Sequence, residues 1–223
     1  MKQLQLAIAD KNYSSWSMRP WVLLKQADIA FEEIQLWFGD DGAVHGIEPH
    51  SPTRKVPVLI VDGEPVWDSL AICEAVAEMF PQKRLWPEDV RARQIARSIC
   101  AEMHAGFREL RGAMPMNISA SFPGKGMSPE VQGDIDRIVN IWESCREHHG
   151  KGGHLLFGQF TAADAFYAPV ASRFLTHAVT LPPVAQAYAE ALLALPAVRE
   201  WMEQARRENR FVRADEPYRS APA

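Results

Sequence analysis

Asn12-Tyr13-Ser14-Ser15-Trp16-Ser17-Met18-Arg19-Pro20-Trp21 sets three serine hydroxyls where a strand gives way to a helix. Before it, Leu4, Leu6 and Ile8 alternate with polar or small residues, the period of a half-buried strand. After it, Trp21, Val22, Leu24 and Ile29 recur at helical spacing, with Pro20 placed as an early helical residue. Residues 31–37 alternate again, Phe31, Glu33, Gln35 and Trp37 opposing Ile34 and Leu36, which predicts a second strand. The β-α-β unit so formed requires a parallel, right-handed crossover.

Further out, residues 38–55 carry glycines at 39, 42 and 46 and prolines at 49 and 52, and read as a long loop. Val56-Pro57-Val58-Leu59-Ile60-Val61, the turn Asp62-Gly63 and Pro65-Val66-Trp67 form a hairpin signal. Asp68-Ser69 then opens a helix whose apolar residues Leu70, Ile72, Val76 and Met79 stop before Pro81. This α/β module is bounded at residues 1–82. From residue 88 to 215 the chain reads as helix after helix, with loops at 123–126 and 150–153: one long helix over 91–114, a second from Ser128-Pro129 to about residue 149, and a third opened by the capping box Thr161-Ala162-Ala163-Asp164. Two more fit residues 182–195 and 196–208.

Composition narrows the possible partners. The 223 residues are 47% hydrophobic and 23% charged, with a formal net charge of −4. There is no block of like charge to suit nucleic acid or an anionic membrane surface. No apolar run reaches the roughly 20 residues of a bilayer span, and Met1 to Leu6 alternate rather than form a signal-peptide core. Cys73, Cys100 and Cys145 are odd in number and widely spaced, as expected of reduced, mostly buried thiols in a cytoplasmic protein. His148, His149 and His154 lack the spacing of a zinc site, so no metal is expected. The absence of a C-x-x-C pair argues against dithiol redox chemistry.

Three features carry chemistry. The hydroxyls of residues 14–17 can cap the first helix or hold an anion at its N-terminus. Val56-Pro57 places proline at the start of a strand, at the one kind of peptide bond with an appreciable cis population; a cis bond there turns the Val56 N–H and C=O toward an extended peptide. Asp68-Ser69 caps a helix, and the same pair suits an α-amino acid head, with the carboxylate on the helix N–H groups and Ser69 and the amine on Asp68.

Together these features resemble a cytosolic glutathione transferase over essentially the whole chain: a thioredoxin-like module followed by an all-helical one. Ser14-Ser15-Trp16-Ser17-Met18-Arg19 is most similar to the Ser-Ser-Cys-Ser-x-Arg motif of the zeta class, which includes maleylacetoacetate isomerases. It departs from that motif at Trp16, in place of cysteine, and at Pro20. The resemblance implies glutathione as co-substrate, with Ser14 donating its hydroxyl hydrogen to the thiolate and Ser15 and Ser17 competing for that role. It also implies that Val56 pairs with the cysteinyl backbone beside Pro57, that Asp68 and Ser69 hold the γ-glutamyl end, and that Lys55 or Arg54 meets the glycine carboxylate. The expected reaction is conjugation of glutathione to a small hydrophobic electrophile. Glutathione-dependent cis-trans isomerisation and a non-catalytic binding role are the alternatives. The second-substrate pocket is expected to draw on Trp16, His104, Arg108, Arg111 and Asn117, and the resemblance implies a homodimer.

Overall fold

The computed structural model describes residues 3–221. Met1 and Lys2, where the sequence-based boundary of the first module begins, lie outside the described residues. Strand β1 (Leu4–Ile8), helix α1 (Ser15–Gln26) and strand β2 (Glu32–Gln35) form the expected unit, with β1 and β2 parallel and Leu6 opposite Glu33. The predicted second strand does not run through Trp37. Leu36 gives its N–H to the Ile8 carbonyl, and the Phe38 N–H then goes to the Asp10 carboxylate at 2.6 Å. The chain is thereby diverted into a separate ribbon of β3 (Trp37–Phe38) and β4 (Val44–His45) inside what the sequence presents as loop.

β5 (Val58–Val61) pairs antiparallel with β1, and β6 (Glu64–Val66) with β5, giving the order β2-β1-β5-β6. The hairpin between β5 and β6 turns on Asp62 and Gly63, both at positive φ (50° and 94°), which an Asp-Gly pair tolerates. Val56–Pro57 is cis, as is Trp67–Asp68. Helix α2 (Ser69–Met79) follows, capped by the Asp68 side chain on the Leu70 N–H at 3.1 Å.

The helical part comprises α3 (Val90–Ala105), α4 (Arg108–Ala113), α5 (Pro129–His149), α6 (Ala162–His177), α7 (Pro183–Leu193) and α8 (Pro196–Arg207). The single long helix expected over 91–114 is broken at Gly106-Phe107, where Gly106 is extended and Phe107 adopts φ 57°. Glycine is a poor helix former, and the Leu110 N–H at the start of α4 takes the Asp134 carboxylate of α5 instead of a carbonyl one turn back. α6 is buried on nearly all sides and packs on α1, joining the modules in one core. Its capping box is formed: Asp164 accepts the Thr161 N–H at 2.8 Å, and also the Leu156 N–H and the Tyr188 hydroxyl, each at 3.2 Å. Burial nonetheless pushes the Asp164 carboxyl up to about 6.

After α8 the chain returns across the first module. Glu208 accepts the N–H groups of Lys11 and Asn12, and Arg210 meets Asp10 at 2.6 Å. Among the described residues no helix is long and apolar enough to cross a membrane. Cys73, Cys100 and Cys145 are buried free thiols, pushed upward in pKa by burial.

Candidate active site

Ser14 is the N-cap of α1. Its Oγ accepts the Ser17 N–H at 3.3 Å and donates to Ser17 Oγ at 2.7 Å, and Ser17 Oγ in turn accepts the Ala9 N–H. Capping therefore falls to the first serine, and Ser17 is sealed at 0% exposure. The helix N-terminus behind Ser14 favours negative charge in front of it.

In front of Ser14 lies a cavity of about 1290 Å³ between the sheet module and α3, α4 and α6. Ser14, Ser15, Lys55, Val56, Pro57, Asp68 and Ser69 all line it, as do Trp16, His104, Arg108 and Arg111. Arg54 lines it beside Lys55, so both candidate cations for a carboxylate remain in place. Ser17 does not line it. Asn117, expected in the pocket, is fully buried away from the cavity wall: its amide nitrogen donates to Glu216 at 2.8 Å and its oxygen accepts from Asn12 at 3.0 Å. It braces the turn before Ser14 rather than facing the cavity.

The two sides of the cavity differ in charge. The sheet module mixes hydroxyls, the Val56 backbone and the carboxylates of Asp68 and Glu48 with the cations Lys55 and Arg54. Asp68 is shared: one oxygen caps α2, the other lies 3.1 Å from His104 Nε2. Burial holds the His104 pKa down, against the pull of Asp68, so at neutral pH the contact is a hydrogen bond from a neutral imidazole.

The helical side is cationic. Arg111 lies over the Trp16 ring at 4.5 Å from its centroid, and its Nη1 donates to the carbonyls of His104 and Gly106, which the break between α3 and α4 leaves free. Arg173, a residue that sequence reasoning missed, comes from α6 and is 5% exposed. Its Nε donates to the Met114 carbonyl at 2.9 Å and its Nη2 to Ser15 Oγ at 3.1 Å. Burial, with Arg19 and Arg111 nearby, lowers its pKa to about 9, so it stays charged at neutral pH. The signal in the sequence is a lone cation in the otherwise uncharged, mostly apolar run Phe166 to Phe174.

The returning C-terminal segment supplies two more missed residues. Glu216, 4% exposed, accepts the Tyr13 hydroxyl at 2.6 Å and is also bound by Arg219, which ties the segment to the residue just before Ser14. Asp215 lines the cavity. Burial, with Asp10 and Glu216 nearby, pushes its carboxyl up to about 6 against the opposing charge of Arg173.

Comparison with known proteins gives the family and the fold. Residues 13–79 match the family model described as glutathione S-transferase, N-terminal domain, and residues 94–204 the corresponding C-terminal domain. Similar sequences include a probable maleylacetoacetate isomerase of Caenorhabditis elegans, 27% identical over 72% of this chain and 75% of that protein. Another is the maleylacetoacetate isomerase of Rattus norvegicus, 29% identical over 82% of this chain and 84% of that protein. Among solved structures, a glutathione transferase homolog from Burkholderia with bound glutathione superposes with a TM-score of 0.67 at 22% identity, covering 92% of this chain and 98% of the other.

Proposed function

The chain belongs to the glutathione S-transferase family, and on that premise we propose that it is a glutathione-dependent cis-trans isomerase of the maleylacetoacetate type. The observation that carries the reading is the opposition, across one cavity, of a hydroxyl-lined helix N-terminus and a wall of arginines. The names of its relatives point the same way.

Glutathione lies along the sheet module in this reading. Asp68 and Ser69 take the γ-glutamyl end, Val56 pairs with the cysteinyl backbone, and Lys55, with Arg54 as its alternative, meets the glycine carboxylate. The sulfur ends at Ser14. An ordinary thiol titrates near 8.5, and each unit of lowering corresponds to about 1.4 kcal/mol in favour of thiolate. A hydroxyl donor and a helix N-terminus are the groups that provide it. Ser17, sealed behind Ser14, can turn its own O–H toward Ser14 Oγ and free the Ser14 hydrogen for sulfur.

The thiolate then adds its electron pair to one carbon of the conjugated cis double bond, and the displaced pair moves onto the neighbouring carbonyl oxygen as an enolate. The former double bond, now single, rotates. Collapse of the enolate restores the double bond in trans and expels the thiolate, so neither a net proton nor a redox partner is needed. Arg173 and Arg111 face the charge of the acid and of the enolate.

Conjugation to a neutral electrophile is the second reading, favoured by Trp16 in the place of the zeta-class cysteine and by the ring face it offers an aromatic substrate. Measuring kcat/KM for maleylacetoacetate and for a neutral aryl halide, both with glutathione, separates the two. Isomerisation faster by tenfold or more supports the first reading; aryl conjugation with no isomerisation overturns it. A cytoplasmic homodimer belongs to the same proposal, and sedimentation at about twice the 25.0 kDa chain mass checks the dimer.

A further inference from the structure

Trp16 sits between two guanidinium groups. Arg19 lies 4.2 Å from the ring centroid and Arg111 4.5 Å, while the His104 ring meets the indole edge-on at 5.1 Å. Arg19 is 1% exposed and wedged between Trp16 and Phe166; among the described residues its side chain makes one hydrogen bond, a long one of 3.4 Å from Nη1 to Ser69 Oγ, and its Nε has no partner. Among the described residues the hydrogen bonds of Arg111 go to backbone carbonyls. Among the described residues no carboxylate lies within 4 Å of Arg19, Arg111 or Arg173.

Like charges gathered without a counter-ion in contact raise one another's energy, and burial adds to the cost. Part of that cost is offset by the electron-rich faces of the indole, a desolvated cation–π arrangement. Asp215 offsets some of the charge at Arg173, and an anion entering the cavity relieves more. Arg111 and Arg173 face the cavity where it would arrive, and Trp16 directly follows the Ser14-Ser15 pair on which the proposed thiolate site rests.

We propose that Trp16 is a specificity-determining residue: it clamps Arg111 against the cavity wall and, with Arg173 held by Ser15, completes a two-point subsite for a dicarboxylate electrophile. The inference rests on the isomerase reading for its choice of substrate class. Arg19 is the fixed base of the clamp, since its burial leaves the cavity-facing side of the indole to Arg111. The substitution of tryptophan for the cysteine of the related motif thus trades a second thiol for an anion-holding platform.

The test uses binding rather than turnover, so that its failure differs from failure of the isomerase reading. Calorimetry on the glutathione-loaded protein compares succinate, an inert dicarboxylate, with its neutral diamide. The wild-type protein is expected to prefer succinate. Trp16→Leu is expected to lower that preference about tenfold, Trp16→Phe to keep most of it because a ring face remains, and Arg111→Met, at a half-exposed position, to match Trp16→Leu without touching the core. A structural role alone would weaken both ligands equally. Equal loss of both ligands in Trp16→Leu, an unchanged preference in Arg111→Met, or no succinate preference in the wild type overturns the inference. Preference that depends on Trp16 in a protein lacking isomerase activity keeps the inference and removes only the isomerase reading.

Discussion

The two walls of the cavity obey different rules. On the sheet side, Ser14, Val56, Asp68 and Ser69 are placed by local backbone events: a helix cap, a strand start, a second helix cap. On the helical side, Arg111 and Arg173 are placed by a helix break and by hydrogen bonds that span the chain; Arg173 reaches Ser15 across 158 residues of sequence. The first wall mixes acidic, basic and hydroxyl groups, with Asp68 shared between the α2 cap and His104 of α3, whereas among the described residues Arg111 and Arg173 of the second have no carboxylate within 4 Å. The difference teaches that the thiol half of the site is a property of the fold, and that the choice of second substrate is written in long-range contacts.

That contrast can be broken from either side. Ser14→Ala is expected to have the largest effect. A hydrogen bond to a charged acceptor is worth about 1.5–3 kcal/mol, or about one to two pKa units of the bound thiol. Turnover at pH 7 should fall by about 10- to 100-fold, and ultraviolet titration of bound glutathione should show thiolate forming at correspondingly higher pH. An unmoved thiol pKa would shift the role to Ser15.

Arg173→Met should cost about tenfold in kcat/KM for an anionic substrate, because methionine offers the acid neither charge nor a hydrogen-bond donor. A neutral aryl halide should lose less, and equal losses would make Arg173 a structural brace rather than part of a cationic wall. Ser17→Ala comes next: a few-fold fall in turnover through a weaker Ser14 donor, checked by the same thiol titration.

The smallest expected effect is pH dependence. The Asp215 carboxyl, raised to about 6, is neutral below that pH and negative above it. Its charge then opposes an anion approaching Arg173, so KM for an anionic substrate should rise about two- to threefold as pH increases from about 5 to 7. Asp215→Asn should flatten that rise, and a KM that falls with pH would refute the assignment.

Legibility in the sequence follows the same division. The β-α-β start, the Asp62-Gly63 hairpin, the two helix caps and the Thr161–Asp164 capping box are readable because each depends on residues within a few positions of one another. The β3–β4 ribbon is not, because it depends on Asp10 capturing the Phe38 N–H from 28 residues away. Helical periodicity across Gly106 hides the break, which Asp134 of another helix stabilises. Asn117 reads as a pocket residue because it lies near the end of an aromatic and basic helix face, whereas its buried partners Asn12 and Glu216 lie 105 and 99 residues away. Glu216 looks like an ordinary charge until tertiary structure buries it, and Arg173 shows in the sequence as a lone cation whose partner Ser15 lies far away in the chain.

The central claim is that the two walls cooperate in an isomerisation that returns the thiol. It is tested most directly by following maleylacetoacetate in glutathione-loaded enzyme while titrating free thiol over the same time course. The expected result is many turnovers of cis acid to trans acid with the glutathione concentration unchanged. Loss of one thiol per molecule of acid consumed, or no conversion at all, would contradict it.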